Sequence, residues 1–244
     1  MKKTVFTLLG IILFFSLLCS FSASVILNPQ TMQSGFETLT PDERAQAAAL
    51  GAEAAEYGLY AKSITDYLSG KGDMCVLPGS DGENVPAFYD TDGKNGESKQ
   101  NVHMKDVRAL VSALVMIRYF GCGGVLSVLA AVYLTGRARK KPFPLDAALH
   151  GFSLGALILL GVIFALAVWA VADFYGFFFT AHRILFPGND YWMLDPSRHV
   201  LMALMPLRFF EYYAKKLLTQ LLPLFGIMIC LPVAYFRYKK EPEK

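Results

Sequence analysis

Four long apolar runs constrain this chain more than any other feature. Each approaches or exceeds the roughly 20 residues that an α-helix needs to cross about 30 Å of hydrocarbon. The runs are Val5–Leu27, a stretch within Val107–Leu134, Leu145–Val171 and Leu217–Tyr235. No polar face interrupts them at the helical period, which argues against a single water-soluble domain. The sequence therefore predicts an all-α polytopic membrane protein with four transmembrane helices.

The runs also predict how the chain is divided. We expect a retained signal-anchor at the start, because its apolar run is longer than the signal-peptide core of about 7–15 residues. The predicted segments are a first transmembrane helix (1–27), an extracytoplasmic cap (28–105), a second helix (106–136), a basic loop (137–144), a third helix (145–173), an outer loop (174–216) and a fourth helix with its tail (217–244).

The placement of lysine and arginine predicts the orientation. Basic clusters precede the first run, fill residues 137–141 and follow the last run, and such clusters remain in the cytoplasm. Both termini are then cytoplasmic. His103, His182 and His199 all lie on the outer side, whereas His150 lies at the cytoplasmic end of the third helix. The net charge of +3 reflects this topology and gives no reason to expect a nucleic-acid partner.

The predicted cap has two dissimilar halves. Thr40-Pro41-Asp42-Glu43 is typical of a helix start with a capping box, and the alanine-rich run after it predicts a helix over 45–60 that continues with breaks to Leu68 and stops at Gly70. Residues 71–100 are rich in Gly, Asp, Asn and Ser, which predicts a loop with a short hairpin. That half can hardly build a core of its own.

The richest polar stretch is AHRILFPGNDYWMLDP, residues 181–196. It follows an apolar segment and places His182 at the edge of the bilayer. Trp192 is expected at the headgroup level, where an amphipathic ring is half wet. Asn189 and Asp190 first suggest turn chemistry beside a glycine, and His199 is expected in an exposed loop. A titratable group at a lipid boundary is suited to chemistry on a lipid.

A second polar group opens the second helix. His103 and Asp106 are three residues apart and share a helical face. If this helix starts above the bilayer, Arg118 lies at the outer interface, within about 60° of His103 around an ideal helix. We expect His103 and His182 to approach within roughly 10 Å across an outward-facing cavity, the reach that general acid–base work on one substrate requires. Taken singly, each histidine is more simply explained as an interfacial polar residue, and Asp106 as an acid that favours the helix dipole.

Three blocks, HMKDVR, AHRILFPGNDYWMLDP and MPLRFFEYY, follow one another in a four-span chain with an insertion after the first span. This pattern resembles the bacterial lipoprotein intramolecular transacylase (Lit) family. The chain keeps Asn189, Asp190, Trp192, Asp195 and Pro196 of that pattern. It differs by having Arg108 in place of a lysine, and also at His199, Val200 and Leu207.

The resemblance implies a membrane acyltransferase of the bacterial plasma membrane, active at its outer face. An acyl chain moves from the glyceryl group of a diacylglyceryl-modified lipoprotein to the amine of its N-terminal cysteine, which gives a lyso-form lipoprotein. Catalytic histidines carry over as His103 and His182. Substrate binding or electrostatic support is expected from Asp106, Arg118, Asn189, Asp190 and Trp192. Lipoproteins and membrane lipids are the expected partners, and no cofactor or metal is expected.

The residues agree with such a reaction, because the sequence contains no His-Glu-x-x-His motif and no evident nucleophilic cysteine. The substrate's own amine can be the nucleophile, and histidine has a suitable pKa to move its proton. Two alternatives remain open. One is a metal-dependent membrane hydrolase that uses His103, His182 and either Asp106 or Asp190 as ligands. The other is a non-enzymatic membrane partner protein whose cap binds another protein.

Overall fold

The computed structural model describes residues 2–79, 83, 85, 88 and 97–240. Most of these residues are helical. The helices are α1 (Lys2–Ile26), α2 (Pro29–Glu37), α3 (Pro41–Ala49), α4 (Tyr57–Leu68), α5 (Lys99–Ala138), α6 (Leu145–Ala172), α7 (Phe174–Leu185), α8 (Val200–Leu204) and α9 (Leu207–Lys240), with a 3₁₀ turn at Ala54–Glu56. The all-α prediction is confirmed.

Four of these helices, α1, α5, α6 and α9, are long and apolar enough to cross a membrane. Their outward faces carry large apolar side chains, such as Phe164 and Val171, that are 69% and 89% exposed. In a bilayer such faces meet lipid rather than water. The four-span, multi-pass prediction is confirmed. Helix α5 begins at Lys99 and α9 at Leu207, so both start ahead of the predicted spans.

The chain divides into two compact units, which are described separately. Unit 1 comprises Met1–Phe21, Leu114–Phe177 and Leu218–Lys244, and unit 2 comprises Ser22–Ala113 and Phe178–Leu217. In unit 1, α1 and α6 approach through glycines. A Cβ placed on Gly155 would lie 2.7 Å from the backbone nitrogen of Ile11, so only glycine permits this approach. Small residues serve the same purpose at many transmembrane helix contacts.

Unit 2 contains an aromatic and aliphatic core. Tyr60, Phe36 and Leu204 are fully buried there, and the core joins α2 and α4 to α8 and to the first turn of α9. The loop half of the cap contributes Cys75, Leu77, Val85 and Phe88. The described residues of that half thus share their core with the helices.

The cap confirms one helix start and corrects another prediction. Thr40 and Glu43 form both hydrogen bonds of a capping box at the start of α3. The predicted continuous helix over 45–60 is wrong. Helix α3 ends at Ala49, because Gly51 adopts φ 90° and reverses the chain before the 3₁₀ turn. Helix α4 then runs to Leu68, and Gly70 at φ 98° ends it as expected.

The expected hairpin lies partly outside the described residues. Within the described ones, the Val85 N–H donates to the Leu77 carbonyl at 2.8 Å, and the Gly79 N–H donates to the Glu83 carbonyl at 2.6 Å. These bonds close a short loop against the core of unit 2.

Candidate active site

The two candidate catalytic histidines lie together in unit 2. His103 sits in the first turns of α5 and His182 in the last turn of α7. Their ring centroids are 6.2 Å apart, and the ring planes are tilted by 36°. The expected approach within roughly 10 Å is therefore confirmed. The outward-facing cavity between them stays a prediction.

Aromatic side chains surround His182. Its ring centroid lies 3.9 Å from that of Phe178, 5.1 Å from that of Trp192 and 5.6 Å from that of Phe186. Phe178 and Phe186 stand four residues before and after His182, so the helical period alone brings them to its face. Sequence reasoning missed both residues, although this i±4 spacing was visible.

A backbone hydrogen bond fixes the state of the His182 ring. Nδ1 lies 2.8 Å from the carbonyl oxygen of Phe178. A carbonyl only accepts, so Nδ1 carries the hydrogen of the neutral ring and Nε2 keeps its lone pair. Burial lowers the pKa of His182, while the Phe178 carbonyl opposes that shift. The ring is therefore neutral at pH 7, with Nε2 as its basic atom.

The His103 ring presents an unsatisfied polar atom. Its Nδ1 is buried and has no hydrogen-bond partner among the described residues. Phe186 packs edge-on against the ring, with centroids 5.1 Å apart. A buried nitrogen left unpaired costs about 1–3 kcal/mol. A ligand that pairs with this atom recovers that free energy.

Asp106, Asn189 and Trp192 form a connected polar link beside the histidines. The Asn189 amide donates to Oδ2 of Asp106 at 3.1 Å, which ties the turn after α7 to α5. The Trp192 indole N–H donates to the Asn189 carbonyl at 3.2 Å. Gly188, at φ 94°, allows the reversal that brings Asn189 back to α5. The turn chemistry expected of Asn189 is therefore part of the architecture of the site.

Trp192 corrects an expectation about lipid contact. The expectation of a half-wet ring is wrong, since Trp192 is only 4% exposed. It packs on Phe179 and on His182, with both centroid distances at 5.1 Å. Packing against an interior imidazole prevailed over the general preference of tryptophan for the interface.

His199 is also misplaced by sequence reasoning. It was expected in an exposed loop but is 4% exposed. The Asp195 N–H donates to its Nδ1 at 2.8 Å, and the Asp195 carboxylate accepts from the Ser197 N–H at 2.9 Å. His199 thus holds the turn that leads into α8, and its burial comes from that tertiary role.

Two other candidates lie apart from this cluster. Asp190 is exposed on the turn, and its carbonyl accepts from the Met193 N–H at 3.0 Å. Arg118 belongs to unit 1, where its guanidinium donates to the Tyr119 hydroxyl at 2.6 Å and lies 4.4 Å above that ring. Their contribution to substrate binding stays a prediction.

Arg108, the substituted position of the first motif block, faces the cap. Its guanidinium donates to the Gly72 carbonyl at 2.9 Å and lies 4.8 Å from the ring centroid of Tyr67. This contact anchors α5 to α4. A cation at this position therefore stabilises the fold, and this role does not depend on the substrate.

Comparison with known proteins decides between the open alternatives. A family model described as lipoprotein intramolecular transacylase Lit matches residues 6–210. The chain belongs to the Lit family. It is therefore a membrane enzyme that moves an acyl chain within a lipoprotein, and the predicted transfer from the glyceryl group to the N-terminal amine is consistent with that activity.

Solved structures of Lit have a similar fold. The in meso structure of the membrane-integral Lit from Bacillus cereus is 20% identical, has a TM-score of 0.62, and the match covers 97% of this chain and 94% of that chain. A variant of that protein with a histidine replaced by arginine is 19% identical, has a TM-score of 0.63, and the match covers 98% and 93% of the two chains. None of the curated protein sequences matches this chain.

The side chains that could bind a metal ion or act as a nucleophile also agree with the Lit assignment. Among the described residues, no three His, Cys, Asp or Glu side chains are grouped closely enough to hold a metal ion. The triad that a metal-dependent hydrolase would draw from His103, His182 and an aspartate is not assembled. Burial raises the pKa of the Cys75 thiol to about 12, so this cysteine is no nucleophile at neutral pH.

Proposed function

We propose that His103 and His182 are the catalytic pair of this Lit enzyme and act on diacylglyceryl-modified lipoproteins at the outer face of the membrane. The observation that carries the proposal is the 6.2 Å approach of two rings that come from different helices. One of these rings keeps a basic nitrogen, and the other has a buried polar atom without a partner among the described residues.

His182 acts as the general base. As the substrate amine attacks the ester carbonyl, an N–C bond forms and Nε2 of His182 accepts the proton that the nitrogen loses. When the C–O bond to the glyceryl group breaks, the same proton is given to the departing oxygen. The proton that leaves the amine ends on the glyceryl oxygen, so the reaction needs no external reactant. Because Nδ1 keeps its hydrogen at the Phe178 carbonyl, the proton enters and leaves the ring through Nε2 in both steps.

His103 stabilises the oxyanion. A neutral imidazole that donates through Nδ1 would pair its unsatisfied atom with the developing negative charge. The aromatic enclosure lowers the local dielectric, which strengthens that hydrogen bond. Because amine and ester belong to one molecule, holding them near attack distance supplies a further share of roughly 7–11 kcal/mol.

Asp106, Asn189 and Trp192 position the base. Trp192 packs on the His182 ring and is itself fixed by the Asn189 carbonyl, which Asp106 anchors in turn. We keep Asp190 and Arg118 as proposed contacts to the substrate or lipid headgroup. The orientation proposed from the basic clusters, with both termini in the cytoplasm, places the ends of α5 and α7 that carry the histidines outside.

Mass spectrometry of lipoprotein N-termini tests this proposal. Cells that express the wild type should yield N-acylated lyso-form peptides, while His103→Ala and His182→Ala should lower the transfer rate by roughly 10²–10⁴-fold with unchanged amounts of folded protein. His150→Ala is the matched control, since His150 packs on Phe236 in unit 1.

Two results would contradict the proposal. Full activity in both histidine variants would leave the pair without a catalytic role. Loss of activity on chelation, restored by added metal, would instead support a metal-dependent reaction. Reporter fusions after Arg139 and near Gly82 check the orientation independently, with a cytoplasmic signal expected from the first and an external signal from the second.

A further inference from the structure

A groove of 560 Å³ lies in unit 1, between α1 and the C-terminal half of α5. Its wall is apolar and includes Phe6, Val128 and Val132. Its end is formed by Thr135 and by the basic loop, where Arg139 and Lys141 line it. None of the described residues that line the groove is acidic. The groove thus joins a hydrocarbon-like wall to a cationic end.

The wall opens onto the lipid-facing surface. Val5 and Val128, which line it, are 44% and 39% exposed, and neighbouring Leu126 and Leu134 are 65% and 61% exposed. In a membrane-spanning helix such exposure means contact with acyl chains. An occupant must therefore be apolar where it meets the wall and anionic where it meets the loop.

The cationic end is held in a defined shape. Helix α5 ends at Ala138, Lys140 just beyond it adopts φ 52°, and the Lys141 N–H folds back to donate to the Gly136 carbonyl at 2.8 Å. A Cβ on Gly136 would lie only 3.1 Å from the Lys141 carbonyl, so glycine permits this closure. The helix end itself carries about half a negative charge. The two lining cations outweigh that charge.

The groove wall is also firmly packed on its inner side. Phe6 is 3% exposed and lies edge-on to Phe143 of the basic loop, with centroids 6.1 Å apart. The buried cluster around Phe6 also includes Val125 and Ala148, from α5 and α6. Binding therefore requires little reordering of the walls, which favours affinity.

We propose that this groove binds an anionic glycerophospholipid. Arg139 and Lys141 meet the phosphate, and the apolar wall takes the start of an acyl chain. Basic recesses between transmembrane helices commonly bind such headgroups. The groove shares no lining residue with the histidine site, and we assign it no part in the proposed acyl transfer.

Lipid titration of the purified full-length protein tests this site, with bound lipid counted by native mass spectrometry. Phosphatidylglycerol should bind at least about tenfold more tightly than phosphatidylcholine, since each basic residue beside a net anionic headgroup raises the affinity about fivefold, whereas choline cancels the phosphate charge of phosphatidylcholine. The double variant Arg139→Gln/Lys141→Gln should lose roughly 30-fold in affinity for phosphatidylglycerol. Arg137→Gln/Lys140→Gln removes the same charge from the same loop without touching the lining, and should retain the preference.

Three outcomes would overturn the proposal. Equal losses in the two double variants would mean diffuse attraction to a basic loop. Equal binding of the two lipids by the wild type would remove the anionic preference. Thermal stabilisation of the wild type by inorganic phosphate that matches the effect of phosphatidylglycerol would identify a free anion as the ligand.

A photoreactive phosphatidylglycerol, with the reactive group near the glycerol end of an acyl chain, keeps the test independent of variant folding. On the wild type, cross-linked peptides should contain Val128 to Thr135 or Val5 and Phe6. Cross-links that fall elsewhere on the protein would also overturn the site.

Discussion

Units 1 and 2 use different packing chemistry, and the proposed catalytic histidines belong to unit 2 alone. In unit 1, helices approach through glycines such as Gly155 and turn apolar faces outward. In unit 2, aromatic rings and polar side chains converge, and the histidine pair lies among them. Substitutions in unit 1 should therefore change how much protein folds. Substitutions at the histidines should change the rate of each folded molecule.

The largest expected effect tests whether the histidines act as one unit. His103→Ala and His182→Ala should each lower the transfer rate by roughly 10²–10⁴-fold. The double variant should be no slower than the slower single variant, because groups that serve one transition state are strongly non-additive. Single-turnover assays in detergent measure all three. Losses that multiply in the double variant would show two independent roles.

The next effect should appear in unit 1 as lost folded protein. Gly155→Val forces a Cβ to within 2.7 Å of the Ile11 backbone, and overpacking of this severity destabilises by about 3 kcal/mol. Gly161→Val on the same helix is the control, because a Cβ there meets no atom within 4 Å among the described residues. Detergent size-exclusion chromatography measures the folded fraction. Equal yields from the two variants would refute the close approach of α1 and α6.

A smaller effect should separate positioning from chemistry in unit 2. Asp106→Ala removes the acceptor of the Asn189 amide and should lower the rate by about tenfold, since a hydrogen bond to a charged group contributes about 1.5–3 kcal/mol. Asp106→Asn keeps an acceptor oxygen and should restore most of the rate. The pH profile of Asp106→Ala should keep the shape of the wild-type profile. If Asp106→Asn is as slow as Asp106→Ala, a catalytic carboxylate replaces the positioning role.

The smallest effect concerns pH. The substrate amine, with a pKa of about 7.7–8.0, already gives a rate that falls tenfold per pH unit in acid. Protonation of His182 doubles that slope below its own pKa, which burial holds under the ordinary value. The steeper decline should therefore begin below pH 6.5. At pH 6.0 the rate should exceed that expected for an unshifted histidine by up to about fourfold. A break at pH 6.5 or above would contradict the neutral, enclosed ring.

Much of the site could be inferred from the sequence because its parts lie in local motifs. His103 and Asp106 share a helical face by spacing, and Thr40 and Glu43 form the capping box that their separation predicts. The aromatic neighbours Phe178 and Phe186 follow the same helical period. Where both residues of a contact lie in one helix, their spacing in the sequence was sufficient to predict the contact.

Long-range contacts were beyond such reasoning. Trp192 looked like an interfacial anchor and His199 like a loop residue, yet each is 4% exposed. The bond between Asn189 and Asp106 joins residues 83 positions apart in sequence. The break at Gly51 depends on a positive φ that the alanine-rich composition around it gave no sign of.

By itself, the sequence determined the four apolar helices and the motif blocks of the family. It also singled out two histidines as candidate catalytic residues. These follow from hydrocarbon thickness and helical period, which act along the chain. Only the tertiary structure decided that Nδ1 of His182 is fixed by Phe178 while Nδ1 of His103 stays unpaired among the described residues. Burial and hydrogen-bond partners depend on which distant segments pack together, and no local pattern specifies them.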